Sequence, residues 1–330
     1  MDNQKKYPLI IKKREDIFYL TGQWFTSGYL IVDRNDKLIF IGDGLEIAKG
    51  VKSDTYKNIG KYLKGFRKIQ LDATFFLNEV EWLKRSNKSL QVESVSNPLR
   101  EQRVIKSSEE LRSMEKAYKV TLEVFRQIRK EIIKLPTEEE LATRIRILGL
   151  EHGCEISFDP IVASGKNSAI PHHKPGKDKL KKHVPIVLDF GFKYRGYCSD
   201  FTRTVFIGQP SKKWQDVYNM VNNSYKNAFH AARPGMMGSE LDNVARKELK
   251  KEKKYFIHSL GHGTGLEVHE APGVGPFSKD VLENGMVFSI EPGLYYQRKG
   301  GVRIEDLVYL EKGKVKYFEY ASTDLKDNIL

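Results

Sequence analysis

Beyond residue 150 the chain alternates apolar strand-like runs with stretches of helical period. A carboxylate or an imidazole recurs at the ends of those runs or in glycine-flanked turns. Alternation of this kind predicts an α/β (α+β) domain in which sheets and helices share one core. Residues 184–190 read as a buried strand and residues 197–207 as a second, alternating one. Residues 211–232 and 239–250 read as helices, each opened by a capping serine. Residues 286–290 and 302–310 read as late strands.

The first hundred residues have a different texture. Residues 29–32 and 37–41 are apolar runs split by Asp33-Arg34-Asn35-Asp36, which predicts a hairpin. Residues 75–83 suggest a short helix and residues 90–95 a strand. A long helix then begins, with Ser108 as its cap and apolar residues at Leu111, Met114, Tyr118, Leu122, Phe125 and Ile128. Pro136 ends that helix, and Thr137 with Glu140 forms a capping box for the next. Two domains are expected, residues 1–104 and 105–330, with the chemistry in the larger.

Composition narrows the class. A chain of 330 residues with 40% hydrophobic content can bury a substantial core. The formal charge of +13 raises nucleic acid or acidic partners. The lysines are spread along the chain, however, with local runs at 177–182 and 247–254, and a lysine-rich surface kept for solubility explains them at least as well. Two cysteines, Cys154 and Cys198, fit a reducing compartment. Residues 1–11 lack the apolar stretch of a signal peptide, and no segment has the apolar length of a membrane span. A cytoplasmic enzyme is the expectation, with neither membrane nor nucleic acid as a partner.

The chemistry-bearing residues form an ordered set. Asp189 ends the run at 184–190, and Asp200 lies in the next. With residues 193–196 as the turn, the two aspartates fall directly opposite each other. Like charges so placed repel unless a cation lies between them, although two water-exposed aspartates beside a turn would look the same. His262 lies in Gly261-His262-Gly263-Thr264-Gly265, whose glycines let backbone approach a site closely. Glu291 follows an apolar strand, and Glu305 sits in Gly300-Gly301-Val302-Arg303-Ile304-Glu305-Asp306. Four carboxylates and one imidazole make a hard, oxygen-rich pocket suited to two divalent ions such as Mn²⁺.

These segments resemble the motifs of the pita-bread metallopeptidases, the Xaa-Pro aminopeptidases and prolidases. The resemblance is carried by Ile186-Val187-Leu188-Asp189-Phe190-Gly191, Cys198-Ser199-Asp200-Phe201-Thr202-Arg203-Thr204, His258-Ser259-Leu260-Gly261-His262-Gly263 and Val268-His269-Glu270. Ser289-Ile290-Glu291-Pro292-Gly293 and Gly301-Val302-Arg303-Ile304-Glu305-Asp306 complete it, all in family order. It covers residues 105–330, whereas residues 1–104 resemble a shortened creatinase-type N-terminal domain only weakly.

The resemblance implies a pita-bread catalytic domain that hydrolyses the bond between an N-terminal residue and proline. It implies that Asp189, Asp200, His262, Glu291 and Glu305 hold two divalent ions, Mn²⁺ first with Co²⁺ or Zn²⁺ as alternatives, and that Asp200 and Glu305 bridge them. Glu291 would also handle the proton. His269 and His172 would face the substrate, with His173 left open as the alternative to His172. Arg303 would orient a bridging carboxylate, and the chain would pair as a homodimer.

Within the family the rival is a prolidase confined to Xaa-Pro dipeptides. Gly273, where some dipeptide-specific relatives carry a basic residue, leans toward the aminopeptidase. From another class, a non-enzymatic pita-bread protein binding RNA or ribosomes would fit the charge but not an intact ligand set.

Overall fold

The computed structural model describes residues 7–330 apart from Ser86 and Leu135. Residues 1–6, part of the stretch without signal-peptide character, lie outside the described residues. Contacts divide the chain into two compact units, Met1–Arg103 and Val104–Leu330.

In the first unit, the strand runs at 29–32 and 37–41 form the expected antiparallel hairpin, Tyr29–Val32 with Leu38–Gly42. They belong to a six-stranded sheet in which Leu9–Ile11 pairs antiparallel with Tyr29–Val32 and parallel with Lys68–Asp72. Successive residues of a strand point to opposite faces, and the burial follows that rule. Ile10 and Ile31 join one apolar cluster, while Ile11 and Leu30 join another. Both faces are therefore covered. The helix Leu77–Lys84 and the strand Gln91–Val95 fall where the periodicity placed them.

The larger unit is built on an eight-stranded sheet. Its order runs Glu270–Val274, Gly261–Gly263, Val287–Ile290, Glu305–Glu311, Phe201–Val205, Ile186–Asp189, Ile161–Ser164, with Lys314–Tyr317 paired to Glu305–Glu311. Helices Ser108–Glu131, Lys212–Ala231 and Gly238–Glu248 cover it, and Trp214, Tyr218, Tyr225, Phe288 and Ile290 are part of one apolar core.

Several local expectations are corrected. Ser107, not Ser108, caps the first long helix, because its hydroxyl lies three residues before Glu110 and accepts from the Glu110 N–H while the Glu110 carboxylate takes the Ser107 N–H. Ser211 stands at the next N-cap without a side-chain bond, and Ser239 lies inside its helix behind Met237. The run 197–207 splits into Tyr197–Cys198 and Phe201–Val205, which belong to different sheets. The run 302–310 likewise breaks at Ile304, between Gly300–Arg303 and Glu305–Glu311.

The aspartate register also shifts. Asp189 faces Thr202, not Asp200, and the innermost pair is Tyr194 with Tyr197. The turn is therefore the two residues Arg195 and Gly196, whose φ angles of 50° and 85° are both positive, as a type I′ hairpin turn requires. The hairpin bends where its strands change sheet. There Gly191 approaches Ser199 so closely that a Cβ would sit 1.9 Å from the Ser199 carbonyl oxygen.

Candidate active site

Five adjacent strands of the large sheet deliver the five residues of the proposed ligand set. His262 is central in Gly261–Gly263, Glu291 directly follows Val287–Ile290, and Glu305 opens Glu305–Glu311. Asp200 directly precedes Phe201–Val205, and Asp189 closes Ile186–Asp189. His262 Nε2 lies 3.3 Å from Glu291 Oε1 and 3.7 Å from Asp200 Oδ2. One ligand atom each from Asp200, His262 and Glu305 lies within 4.8 Å of the other two. The glycines flanking His262 serve strand packing: a Cβ on Gly261 would meet the Ser289 carbonyl oxygen at 1.9 Å and one on Gly263 the Ala271 carbonyl at 2.1 Å.

The electrostatics suit a cation at this candidate site. Asp200 is pushed well above the usual carboxylate range, first by burial and then by the charge of Asp189. Glu305 is pushed up by burial and then by Asp200. Asp189 is raised by burial, against the pull of Arg303. Burial also works to raise Glu291, but the hydrogen bond from His262 and nearby positive charges outweigh it and bring the group to about 2. His262 rises to about 9, because Glu291 and Asp200 outweigh the effect of its burial. Buried carboxylates that oppose one another's ionisation are relieved by divalent cations. Asp189 Oδ1, moreover, is buried with no hydrogen-bond partner. A buried carboxylate oxygen left bare is costly unless something else, such as a metal ion, takes its lone pairs. The donor set and this orphaned oxygen fit the group.

Arg303 takes a different place from the expected one. The break at Ile304 separates it from Glu305, and it donates from Nη2 to Asp189 Oδ2 at 2.5 Å. It reaches Glu305 only through Thr202: Arg303 Nε lies 3.2 Å from Thr202 Oγ1, which donates to Glu305 Oε2 at 2.6 Å. Its Nη1 donates to the Tyr295 hydroxyl at 2.8 Å, and that hydroxyl donates to His258 Nε2, also at 2.8 Å. Burial lowers the His258 pKa, and its Nδ1–H is satisfied by the Ser259 carbonyl.

Thr202, Tyr295 and His258 are residues whose roles sequence reasoning missed. Thr202 and His258 stood inside quoted motifs without a role. Tyr295 carried no spacing signal, because the turn back from Gly293–Tyr296 to Gly300–Arg303 brings it to Arg303.

The remaining expected residues line the same cavity, about 1450 Å³ in volume, which also takes in Gly273 and Phe277. The His269 ring centroid lies 4.2 Å from that of His262, edge to face, and burial lowers its pKa. Glu270, next to it, is tied by Lys106 Nζ at 2.6 Å in a nearly solvent-free ion pair. His172 is exposed on the cavity wall, while the neighbouring His173 ring is held 2.7 Å from the Glu138 carboxylate. Among the described residues no helix is long and apolar enough to cross a membrane.

The match to known proteins agrees with this geometry. Residues 112–312 match the model of metallopeptidase family M24. The chain is 34% identical to the Xaa-Pro dipeptidase of Pyrococcus furiosus over 96% of its own length and 94% of that protein. It is 32% identical to the putative Xaa-Pro aminopeptidase of Mycoplasma genitalium, over 95% of this chain and 92% of that one. The crystal structure of the Pyrococcus horikoshii prolidase superposes with a TM-score of 0.93 at 32% identity, covering 98% of this chain and 97% of that one. The pita-bread expectation for the catalytic domain is met. A hydrolase with a carboxylate- and histidine-lined candidate metal site, this chain belongs to metallopeptidase family M24.

Proposed function

We propose that this chain is an Xaa-Pro aminopeptidase, releasing the N-terminal residue from peptides with proline in second place. The observation that supports the reading is that Asp189, Asp200, His262, Glu291 and Glu305 all line one large cavity that also holds His172 and His269, with Asp200, His262 and Glu305 within ligand distance of one another. Those five would hold two divalent ions, and their oxygen-rich set suits Mn²⁺. When bound, such ions supply Lewis acidity and an activated water at neutral pH.

The protein's own groups do the rest. Glu291, kept ionised beside His262, is placed to accept a proton from the attacking water and deliver it to the leaving nitrogen. His269 and His172 donate hydrogen bonds to the substrate backbone and to the oxygen that gains charge in the transition state. A proline leaving group has no N–H for an enzyme to grip and a ring that fixes local geometry, so recognition must come from the walls of the cavity.

Gly273 supports action on longer peptides, since its own position adds no cation to demand a free carboxylate just beyond proline; Arg146, Lys174 and Arg246 line the cavity elsewhere. The names of full-length relatives favour a second reading, a prolidase confined to dipeptides. We read the protein as a cytoplasmic homodimer, with a creatinase-like N-terminal unit before the catalytic domain.

The test is kcat/KM for Xaa-Pro against Xaa-Pro-Xaa, with Mn²⁺ restored after chelation. Tripeptides should compete well, and a dipeptide preference above about a hundredfold, the upper end for one charge-assisted bond, would make this a prolidase. His269→Ala should cut turnover while elemental analysis finds the metal content unchanged. Metal lost together with activity would move His269 into the ligand set.

A further inference from the structure

We infer that Glu138 is the positioning residue of His172 and acts on it through His173; the inference rests on the reading of His172 as a substrate-facing group.

Glu138 is the first residue of the helix Glu138–Glu151 and is fully buried. A carboxylate in that position is costly unless donors surround it. Three donors do: Ser164 at the end of the strand Ile161–Ser164, Asn167 in the short helix that follows it, and His173 beside His172. Oε1 accepts from the Ser164 N–H at 2.7 Å and from Asn167 Nδ2 at 3.0 Å, and Oε2 accepts from His173 Nε2 at 2.7 Å. Only an acceptor-only group can receive all three. A glutamine would turn an NH₂ toward one of them. Beyond His173, the Glu138 and Glu139 N–H groups donate to the carbonyls of Asp178 and Gly176, at 3.0 and 2.9 Å. The loop is thus laced to the helix N-terminus along much of its length.

His172 sits between two anchored neighbours. On one side Pro171 offers its carbonyl to Arg303 Nη1 at 3.4 Å, the same guanidinium that holds Asp189. On the other side His173 is held by Glu138. The His172 side chain itself is exposed, so the backbone held by those neighbours sets where its ring can reach into the cavity. A displacement of about 1 Å in such a group can cost up to about a hundredfold in rate. The burial of Glu138 and its three converging donors are what this placement requires.

The test is a mutant cycle. His173→Phe keeps the ring volume but removes the donor, His173→Gln keeps a donor near the Nε2 position, and Glu138→Gln unbalances the acceptor. His173→Phe and Glu138→Gln should each lower kcat about tenfold, the scale of one charge-assisted hydrogen bond, with metal content unchanged. His173→Gln should recover most of that loss. Amide exchange at Ile170 and His173 should quicken in His173→Phe. In a His172→Ala background, His173→Phe should cost nothing further. An equal loss in that background, or full activity of both His173→Phe and Glu138→Gln, would overturn the inference. Wild-type turnover of His172→Ala would overturn instead the reading of His172 on which it rests.

Discussion

Arg303 donates to Asp189 Oδ2 at 2.5 Å, across 114 residues of chain, and the other oxygen of that carboxylate is buried without a hydrogen-bond partner. One oxygen of Asp189 is thereby fixed by the protein, while the other is open to the cation that the proposed function assigns to it. A guanidinium suits the task because its planar fork also reaches Tyr295 and Thr202. Arg303→Lys keeps the charge and loses the fork. Metal affinity should fall by roughly 10- to 100-fold, as when other groups that orient ligands are removed, and kcat should fall with it. Titration of the chelated protein with Mn²⁺, read by calorimetry, checks the first; unchanged affinity and turnover would make Arg303 merely structural.

Repulsion within the carboxylate cluster yields a crossing of stabilities. Asp200 and Glu305 are raised by burial and by neighbouring negative charge, so an ion-free site resists full ionisation. Glu305→Gln removes one of those charges. Stripped of metal, the variant should melt at or above the temperature of stripped wild type. With Mn²⁺ added, wild type should rise and the variant should not, since a ligand bound only by the folded state stabilises it. Thermal melts with and without chelator decide the matter. A variant that gains as much from Mn²⁺ as wild type would take Glu305 out of the ligand set.

Gly273 offers a switch of specificity. A Cβ there would meet nothing nearer than Ser278 Oγ at 3.5 Å, which is ordinary contact, so a side chain fits. Gly273→Arg would place a cation on the cavity wall, able to bind the free carboxylate of an Xaa-Pro dipeptide. The ratio of kcat/KM for Xaa-Pro over Xaa-Pro-Xaa should rise about ten- to a hundredfold. An unchanged ratio would show that residue 273 does not face the group after proline.

In the N-terminal unit, Glu79 predicts a pH dependence. Burial works against its charge, but the Lys12 ammonium 2.7 Å away, the Phe76 N–H and the Tyr29 hydroxyl outweigh it, and its pKa falls below the ordinary 4.5. A depressed carboxyl contributes stability that is present above the unfolded pKa and lost as pH falls through the folded one. Glu79→Gln should therefore lower the urea midpoint at pH 7, and the gap from wild type should narrow once pH drops below about 4.5. A gap that stays constant into acid would mean that the charge of Glu79 contributes nothing.

Much of this molecule was legible in the order of its residues. Apolar runs broken by Asp33 to Asp36 marked the first hairpin, and Thr137 with Glu140 marked a helix start, because both signals are local hydrogen-bond chemistry. The five candidate ligands were legible only as an ordered set, since each carboxylate or histidine alone could equally be a turn or surface residue.

What only the tertiary structure decided was who touches whom. Asp189 meets Thr202 because Arg195 and Gly196 take positive φ and make the turn two residues long. Arg303 turns to Asp189 because the strand breaks at Ile304 and passes into a second sheet. His173 is held because it reaches the fully buried Glu138, 35 residues before it, while His172 beside it stays exposed. Periodicity assigns a residue to a face of its own strand or helix. Which distant group shares that face depends on register and packing between elements, and these are settled only when the core closes.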